Sequence, residues 1–170
     1  MKLKLMKASC LLCLCCLIIF ACQQESASGL KPKSLLTWGI PLKVMAPDSL
    51  TVKKSKLGQL EDITLMGHDE FSNYNLQIFA RNAPTIEVAT AKKEQLENAK
   101  GNPFFTKVVE EEENGFIFEK QLDSTRVNYD FRYIRIQGDR EYVFQTSLIG
   151  SFSKEDVKMM YQAVKQVTKN

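Results

Sequence analysis

The chain has 170 residues, with 23 Lys and Arg against 20 Asp and Glu and a net charge of +3. That is one domain's length, and the balance excludes the basic footprint of a nucleic-acid binder. All five cysteines, Cys10, Cys13, Cys15, Cys16 and Cys22, fall in the first 22 residues, so the remainder has neither a disulfide framework nor a cysteine metal site.

Read in chain order, Lys2, Lys4 and Lys7 form a positive start, and an apolar run from Ala8 to Phe20 follows, broken only by Ser9. The run suits a secretion leader and falls short of the ~20 residues of a membrane-spanning helix. Cys13-Leu14-Cys15-Cys16 reads as small apolar residues of this leader rather than as a metal cluster. The leader ends at Ile19-Phe20-Ala21-Cys22. This resembles the lipobox of bacterial lipoproteins, with an aliphatic residue at −3, a small one at −1 and Cys as the first mature residue; Phe20 stands where a small or aliphatic residue is usual. The resemblance implies cleavage after residue 21, acylation of Cys22, and a lipid-anchored place in a bacterial cell envelope, at the outer membrane or facing the periplasm in a Gram-negative cell, with the cell surface as the alternative. Three Lys leave with the leader, so basic and acidic side chains then balance at 20 each. Membrane attachment is therefore expected through acyl chains on Cys22 and not through a polybasic patch.

Residues 22–34 are polar, small and Pro/Gly-containing, the composition of a flexible tether. A single domain is expected over 35–170. Its first half reads as strands: Ile40 to Met45, stopped by Pro47-Asp48-Ser49; Leu50 to Lys56, an edge-like strand blunted by Lys53, Lys54 and Lys56; Ile63 to Met66; and Tyr74 to Ala80, which alternates at period two. Ala89 to Lys100 is rich in helix formers, with Thr85 or Thr90 as N-cap and Gly101 placed for a left-handed stop before Pro103. Its apolar stripe is thin, which predicts a surface helix.

The second half reads as a meander. Phe104 to Glu111 and Phe116 to Leu122 flank an Asn114-Gly115 hairpin signal, with Glu110 to Glu113 as a solvated tip rather than a calcium site. Val127 to Gln137 and Arg140 to Leu148 flank Gly138-Asp139. A two-residue loop there pairs Tyr133 with Phe144, Phe131 with Thr146 and Tyr129 with Leu148. One face then carries Tyr129, Phe131, Tyr133, Tyr142, Phe144 and Leu148; the other carries Asp130, Arg132, Gln145 and Ser147. A C-terminal helix capped by Ser153 and Asp156 supplies Val157, Met160, Tyr161, Val164 and Val167 as one stripe to cover the aromatic face. The fold class is α+β, an antiparallel sheet packed by two helices. In element order, from about Ile40 to Val167, it is similar to the PsbP-like fold. That resemblance implies a non-enzymatic accessory protein attached to a larger complex.

Chemistry-bearing residues are few. The one histidine, His68, lies in Met66-Gly67-His68-Asp69-Glu70. With Asp69 or Glu70 it could serve an envelope enzyme; a polar turn is the simpler reading. Neither a nucleophile elbow nor a glycine-rich phosphate loop is present, and neither catalytic residue, metal nor cofactor is expected. Arg126, Arg132, Arg135 and Arg140 lie on one hairpin and could grip an anion, although alternation also puts Arg on a wet face. Trp38 is read as a packing plug. The expected role is a non-catalytic binding or accessory module for an envelope protein partner, using the sheet face that helices leave open. The alternatives are a carrier holding a lipid or other apolar ligand between the C-terminal helix and the aromatic face, or an enzyme using His68.

Overall fold

Alternating apolar residues and short turns dominate the chain after Gly29, and they resolve into ten strands and two α-helices in a computed structural model that describes residues 29–169. The leader, Cys22 and the first part of the expected tether lie outside the described residues. The strands are β1 (Lys31–Ser34), β2 (Leu42–Ala46), β3 (Leu50–Leu57), β4 (Leu60–Gly67), β5 (Asn75–Asn82), β6 (Phe105–Glu112), β7 (Gly115–Gln121), β8 (Val127–Gln137), β9 (Arg140–Thr146) and β10 (Thr168–Lys169); the helices are α1 (Val88–Lys100) and α2 (Lys154–Lys165). Seven strands form one sheet in the order β3-β4-β5-β9-β8-β7-β6, and β1-β2-β10 form a second. Every strand pair among the described residues is antiparallel.

One face of the large sheet is apolar. Ile63, Leu65, Leu76, Ile78, Phe131 and Phe144 from it share a core with Leu35, Ile40, Leu42 and Val44 from the first segments and with Val157, Met160, Tyr161 and Val164 from α2. The Tyr161 ring stands edge-on to Phe131 at 5.6 Å and to Tyr133 at 5.9 Å, a favoured aromatic geometry. At the start of α2, Ser153 Oγ accepts the Asp156 N–H and the Asp156 carboxylate accepts the Ser153 N–H, a reciprocal capping box. The stripe on α2 is the expected one.

On the opposite face, Phe116, Phe118 and Ala99 of α1 form a second, smaller core with Leu96, Phe105 and Val108 at its margin. Arg81 on β5 ties α1 in place by bonding Glu94 of the helix and the fully buried Glu141 of β9, each at 3.1 Å. The helix lies over β6 and β8 and reaches β5 through Arg81; among the described residues no helix packs on the rest of the β3-β4-β5 half.

Six sequence expectations are corrected. Lys31–Ser34, placed in the tether by composition, is β1, paired with β2 from Lys31–Ala46 to Ser34–Lys43, and Leu30 is buried before it. Polar residues suffice there because β1 is an edge strand that contributes backbone hydrogen bonds more than side-chain packing. The cap of α1 is Glu87, not Thr85 or Thr90, and Gly101 is right-handed at φ −68°, since its N–H still closes a helical bond to Glu97. The β6–β7 connection is Glu113-Asn114, and Gly115 already belongs to β7, where a Cβ would lie 2.3 Å from the Arg132 carbonyl oxygen. The β8–β9 ladder follows the expected register from Gln137–Arg140 to Tyr133–Phe144 but stops there. Leu148, expected on the aromatic face, is 77% exposed.

Asp130 explains that stop. Its carboxylate accepts the Thr146 N–H at 3.2 Å, the Thr146 hydroxyl at 2.6 Å and the Phe131 N–H at 2.8 Å, so a side chain takes the bonds the ladder would have made. Ser147 still donates its N–H to the Asn75 carbonyl of β5 at 2.8 Å, and the chain leaves the sheet after it. Lys120 at 3.2 Å and Arg132 at 3.0 Å neutralise the carboxylate, which is 4% exposed. Burial would raise its pKa, but Arg132, Lys120 and the hydrogen bonds outweigh burial and hold it below the ordinary carboxylate value.

Candidate functional site

Period-two alternation puts Ser55, Asp62, Gln77 and Gln145 on the face of β3, β4, β5 and β9 that points away from the main core. Cross-strand register then aligns them: Ser55 pairs with Asp62, and Gln77 with Gln145. The side chains join into one row. Ser55 Oγ donates to Asp62 at 3.3 Å, Gln77 Nε2 donates to both Asp62 oxygens at 3.0 Å, and Gln145 Nε2 donates to Gln77 Oε1 at 3.2 Å. Gln77 and Gln145 are buried, so each amide is fixed in orientation by its neighbours. Ser55, Asp62 and Gln77 of the row line an open groove of about 580 Å³, together with Lys53, Thr64, Leu148 and Ile149. A smaller hollow of about 180 Å³ continues toward α1 past Phe79, Arg81, Gln95 and Val143.

The groove is lined mainly by polar residues. Its ionisable groups are Lys53, Lys54 and Asp62, and Asp62 is engaged by Ser55 and Gln77. It offers hydrogen-bond donors and acceptors beside the exposed apolar side chains of Leu148 and Ile149.

His68 lies elsewhere. It is exposed at the start of the 3-10 turn Asp69–Phe71, and its Nε2 stands 2.8 Å from the Thr51 hydroxyl. Gly67 enters this loop because a Cβ there would lie 2.4 Å from the Phe71 carbonyl oxygen, and Tyr74 closes it by burying its ring and donating to the Met45 carbonyl at 2.7 Å. Burial pushes the Tyr74 phenol far above its usual value. Asp69 and Glu70 are exposed, and Asp69 has φ +53°. A shallow depression of about 380 Å³ joins His68 to Asp48 and Phe71, and among the described residues no group of three His, Cys, Asp or Glu side chains is arranged for a metal.

The four arginines do not converge. Arg126 pairs with Asp123; Arg132 serves Asp130 and lies 5.3 Å from the Phe118 ring; Arg135 donates to the Val167 carbonyl at 2.8 Å; Arg140 faces Asn82 at 3.4 Å and Glu61 at 3.8 Å. Each holds the chain to itself. The carboxylates expected at a solvated hairpin tip are likewise engaged: Glu111 bonds Lys92 of α1 at 3.0 Å, while Glu110 and Glu112 meet Lys158 and Lys165 of α2 at 3.6 and 2.8 Å. Trp38 is half-buried against the main core, and its carbonyl accepts Lys54. The space between α2 and the aromatic face is occupied by the Phe131, Phe144, Met160 and Tyr161 side chains, each buried.

Sequence reasoning placed Gln145 on the open face but missed the row. Its signal was a polar residue inside an otherwise apolar strand, once at Gln77 and once at Gln145.

No protein-family model matches the chain, and no curated protein matches it. Among solved structures it is similar to the solution structure of cyanobacterial PsbP (CyanoP) from Synechocystis sp. PCC 6803, at 10% identity and a TM-score of 0.51, over 88% of this chain and 98% of that one. At that identity the likeness concerns the fold, and it agrees with the element order read from the sequence.

Proposed function

We propose that the protein is a lipid-anchored envelope module that binds a protein partner through the open half of its sheet and performs no chemistry of its own. In this reading α2 covers the aromatic face, α1 covers the β6-β7-β8 half of the other, and the β3-β4-β5 half is left for the partner. The observation that carries it is the Ser55–Asp62–Gln77–Gln145 row, a hydrogen-bonded set of polar groups in which Gln77 and Gln145 are buried and Ser55, Asp62 and Gln77 line an open groove. A satisfied polar network holds its donors and acceptors in fixed positions. The lipobox-like Ile19-Phe20-Ala21-Cys22 supplies the address.

A photo-cross-linking residue at Thr64, on the groove wall, should give a discrete adduct in the cell's own membranes, and one at Lys93 on the exposed side of α1 should not. The adduct should disappear when Asp62 is replaced by Lys. Equal labelling from both positions, or none from Thr64, refutes the binding face. Cys22→Ser should abolish palmitate uptake and leave an uncleaved precursor; continued uptake refutes the anchor.

A further inference from the structure

Among the described residues the exposed large apolar side chains are Leu36, Ile86, Phe104, Val127, Leu148 and Ile149. Four of these gather at one end of the seven-stranded sheet. The registers fix this end: β3 starts there, because Leu50 pairs with Gly67 at the end of β4. Met66 pairs with Asn75 at the start of β5, and Asn75 accepts the N–H of Ser147, just past the end of β9. The ends of β7 and the starts of β8 and β6 follow, through Gln121–Val127 and the Gln121 N–H to the Phe104 carbonyl. Phe104, Val127, Leu148 and Ile149 therefore project from the same rim, with Leu148 at 77% and Ile149 at 83% exposure.

The chain also enters the domain at this rim. Gly29 rests on the Phe71 ring so closely that a Cβ would lie 2.5 Å from it, and Phe71 belongs to the Gly67–Asn75 connection just placed there. Seven residues lead from Cys22 to Gly29, a contour of at most about 25 Å. A chain acylated at Cys22 would thus hold this rim, and not the opposite one, close to the lipid.

We propose that this rim seats on the bilayer, with Leu148 and Ile149 entering the boundary between headgroups and acyl chains and Phe104 and Val127 beside them. The proposal rests on the reading of Cys22 as the acylated residue. The segment that leaves the sheet after Ser147 carries the inserting side chains, just beyond the Thr146 that the Asp130 carboxylate binds. Lys31 pairs with Asp48 and Arg126 with Asp123, and the other charges of the Gly67–Asn75 connection are the exposed carboxylates of Asp69 and Glu70, so the contact draws on the apolar side chains and does not depend on anionic lipid. Tethering makes a weak insertion effective, because the rim is already at high local concentration beside the membrane.

The sequence has no thiol after Cys22, so one introduced cysteine can be labelled specifically. Full-length, lipid-processed protein carrying Ile149→Cys or Asp139→Cys is labelled with an environment-sensitive fluorophore in vesicles of phosphatidylethanolamine and phosphatidylglycerol. Asp139 lies in the β8–β9 turn at the opposite end of the sheet and is the control. The expected result is a blue-shifted emission at 149 with several-fold stronger quenching by a lipid-borne quencher than at 139, unchanged when phosphatidylglycerol is omitted. Palmitate-labelled, vesicle-bound protein with equal, aqueous signals at both positions overturns the seating and leaves the anchor standing. A blue shift at 149 without lipid quenching means that protein covers the rim, and this also overturns it. Absence of palmitate with the chain free in solution overturns both readings together.

Discussion

Replacing Asp130 with Ala removes the one carboxylate that serves five donors at once: the Thr146 N–H and hydroxyl, the Phe131 N–H, Lys120 and Arg132. Breaking a buried pair by deleting one partner costs about 3–5 kcal/mol. Lys120 and Arg132 keep side-chain exposures of 17% and 15%, so they recover some hydration, and the lower end, about 3 kcal/mol, is expected. Asp130→Asn keeps a neutral acceptor and loses the charge; bonds to charged groups exceed neutral ones by about 1–1.5 kcal/mol, so its loss should be intermediate. Urea unfolding of the full chain in detergent, followed by far-ultraviolet circular dichroism, gives the ranking. The pH dependence follows from the depressed pKa. The stabilisation is fully present above the unfolded Asp value of about 3.9 and is lost as pH falls through the lower, folded value. The gap between the original protein and Asp130→Asn should therefore be constant above about pH 5 and close below about pH 4. An Asp130→Ala protein within about 0.5 kcal/mol of the original, or an Asn variant no better than Ala, refutes the view that this charge ends the ladder and supports the fold.

The remaining predictions concern the core, the hairpin and the histidine. Phe144→Ala should cost about 3–5 kcal/mol of a domain's ~5–15 and leave little folded protein by circular dichroism, and truncation before Ser153 should prevent folding; a stable Phe144→Ala protein would mean that the aromatic face lines a cavity. Glu112→Ala should cost about 1 kcal/mol in urea unfolding, because it releases Lys165 and the Tyr161 hydroxyl, whereas exposed Glu113→Ala should be neutral. His68→Ala should change stability by no more than about 0.5 kcal/mol, since the ring is exposed and loses one bond to Thr51; a loss of several kcal/mol would place His68 in a supporting role.

The parts of the fold legible in the sequence are those where a local rule fixes geometry. Gly138-Asp139 leaves two residues between strands, and a two-residue loop fixes every pair that follows, down to Tyr133–Phe144. Ser153 and Asp156 announce a helix start by their own side-chain chemistry. What stayed hidden depends on distant partners. Lys31-Pro32-Lys33-Ser34 has a linker's composition and becomes a strand because β2 offers it an edge. Asp130 alternates correctly onto the polar face, yet nothing near it in sequence says that Lys120, Arg132 and Thr146 converge on it. The same holds for the candidate site. Gln77 and Gln145 are 68 positions apart and meet only once β5 and β9 pair.

The two ends of the sheet differ in where exposed apolar side chains gather. At the end with the β6–β7 turn, alternation sends Glu111 to one face and Glu110 and Glu112 to the other. Lys92 of α1 meets the first, and Lys158 and Lys165 of α2 meet the others. Each exposed pair contributes little, at a median of about 0–1 kcal/mol, but together they set one hairpin between two helices and cover that end with charge. The other end has Phe104, Val127, Leu148 and Ile149. A domain that tumbled freely on its tether would gain nothing from such a split. One held with its apolar rim down gains a fixed orientation. Its strands then rise from the lipid, and the β3-β4-β5 groove, on a face of the sheet rather than at an end, opens sideways along the membrane. The partner best placed to reach the Ser55–Asp62–Gln77–Gln145 row is then one held at the same membrane surface. The Thr64 cross-link should accordingly form in intact membranes and fail when the two proteins are mixed in dilute detergent.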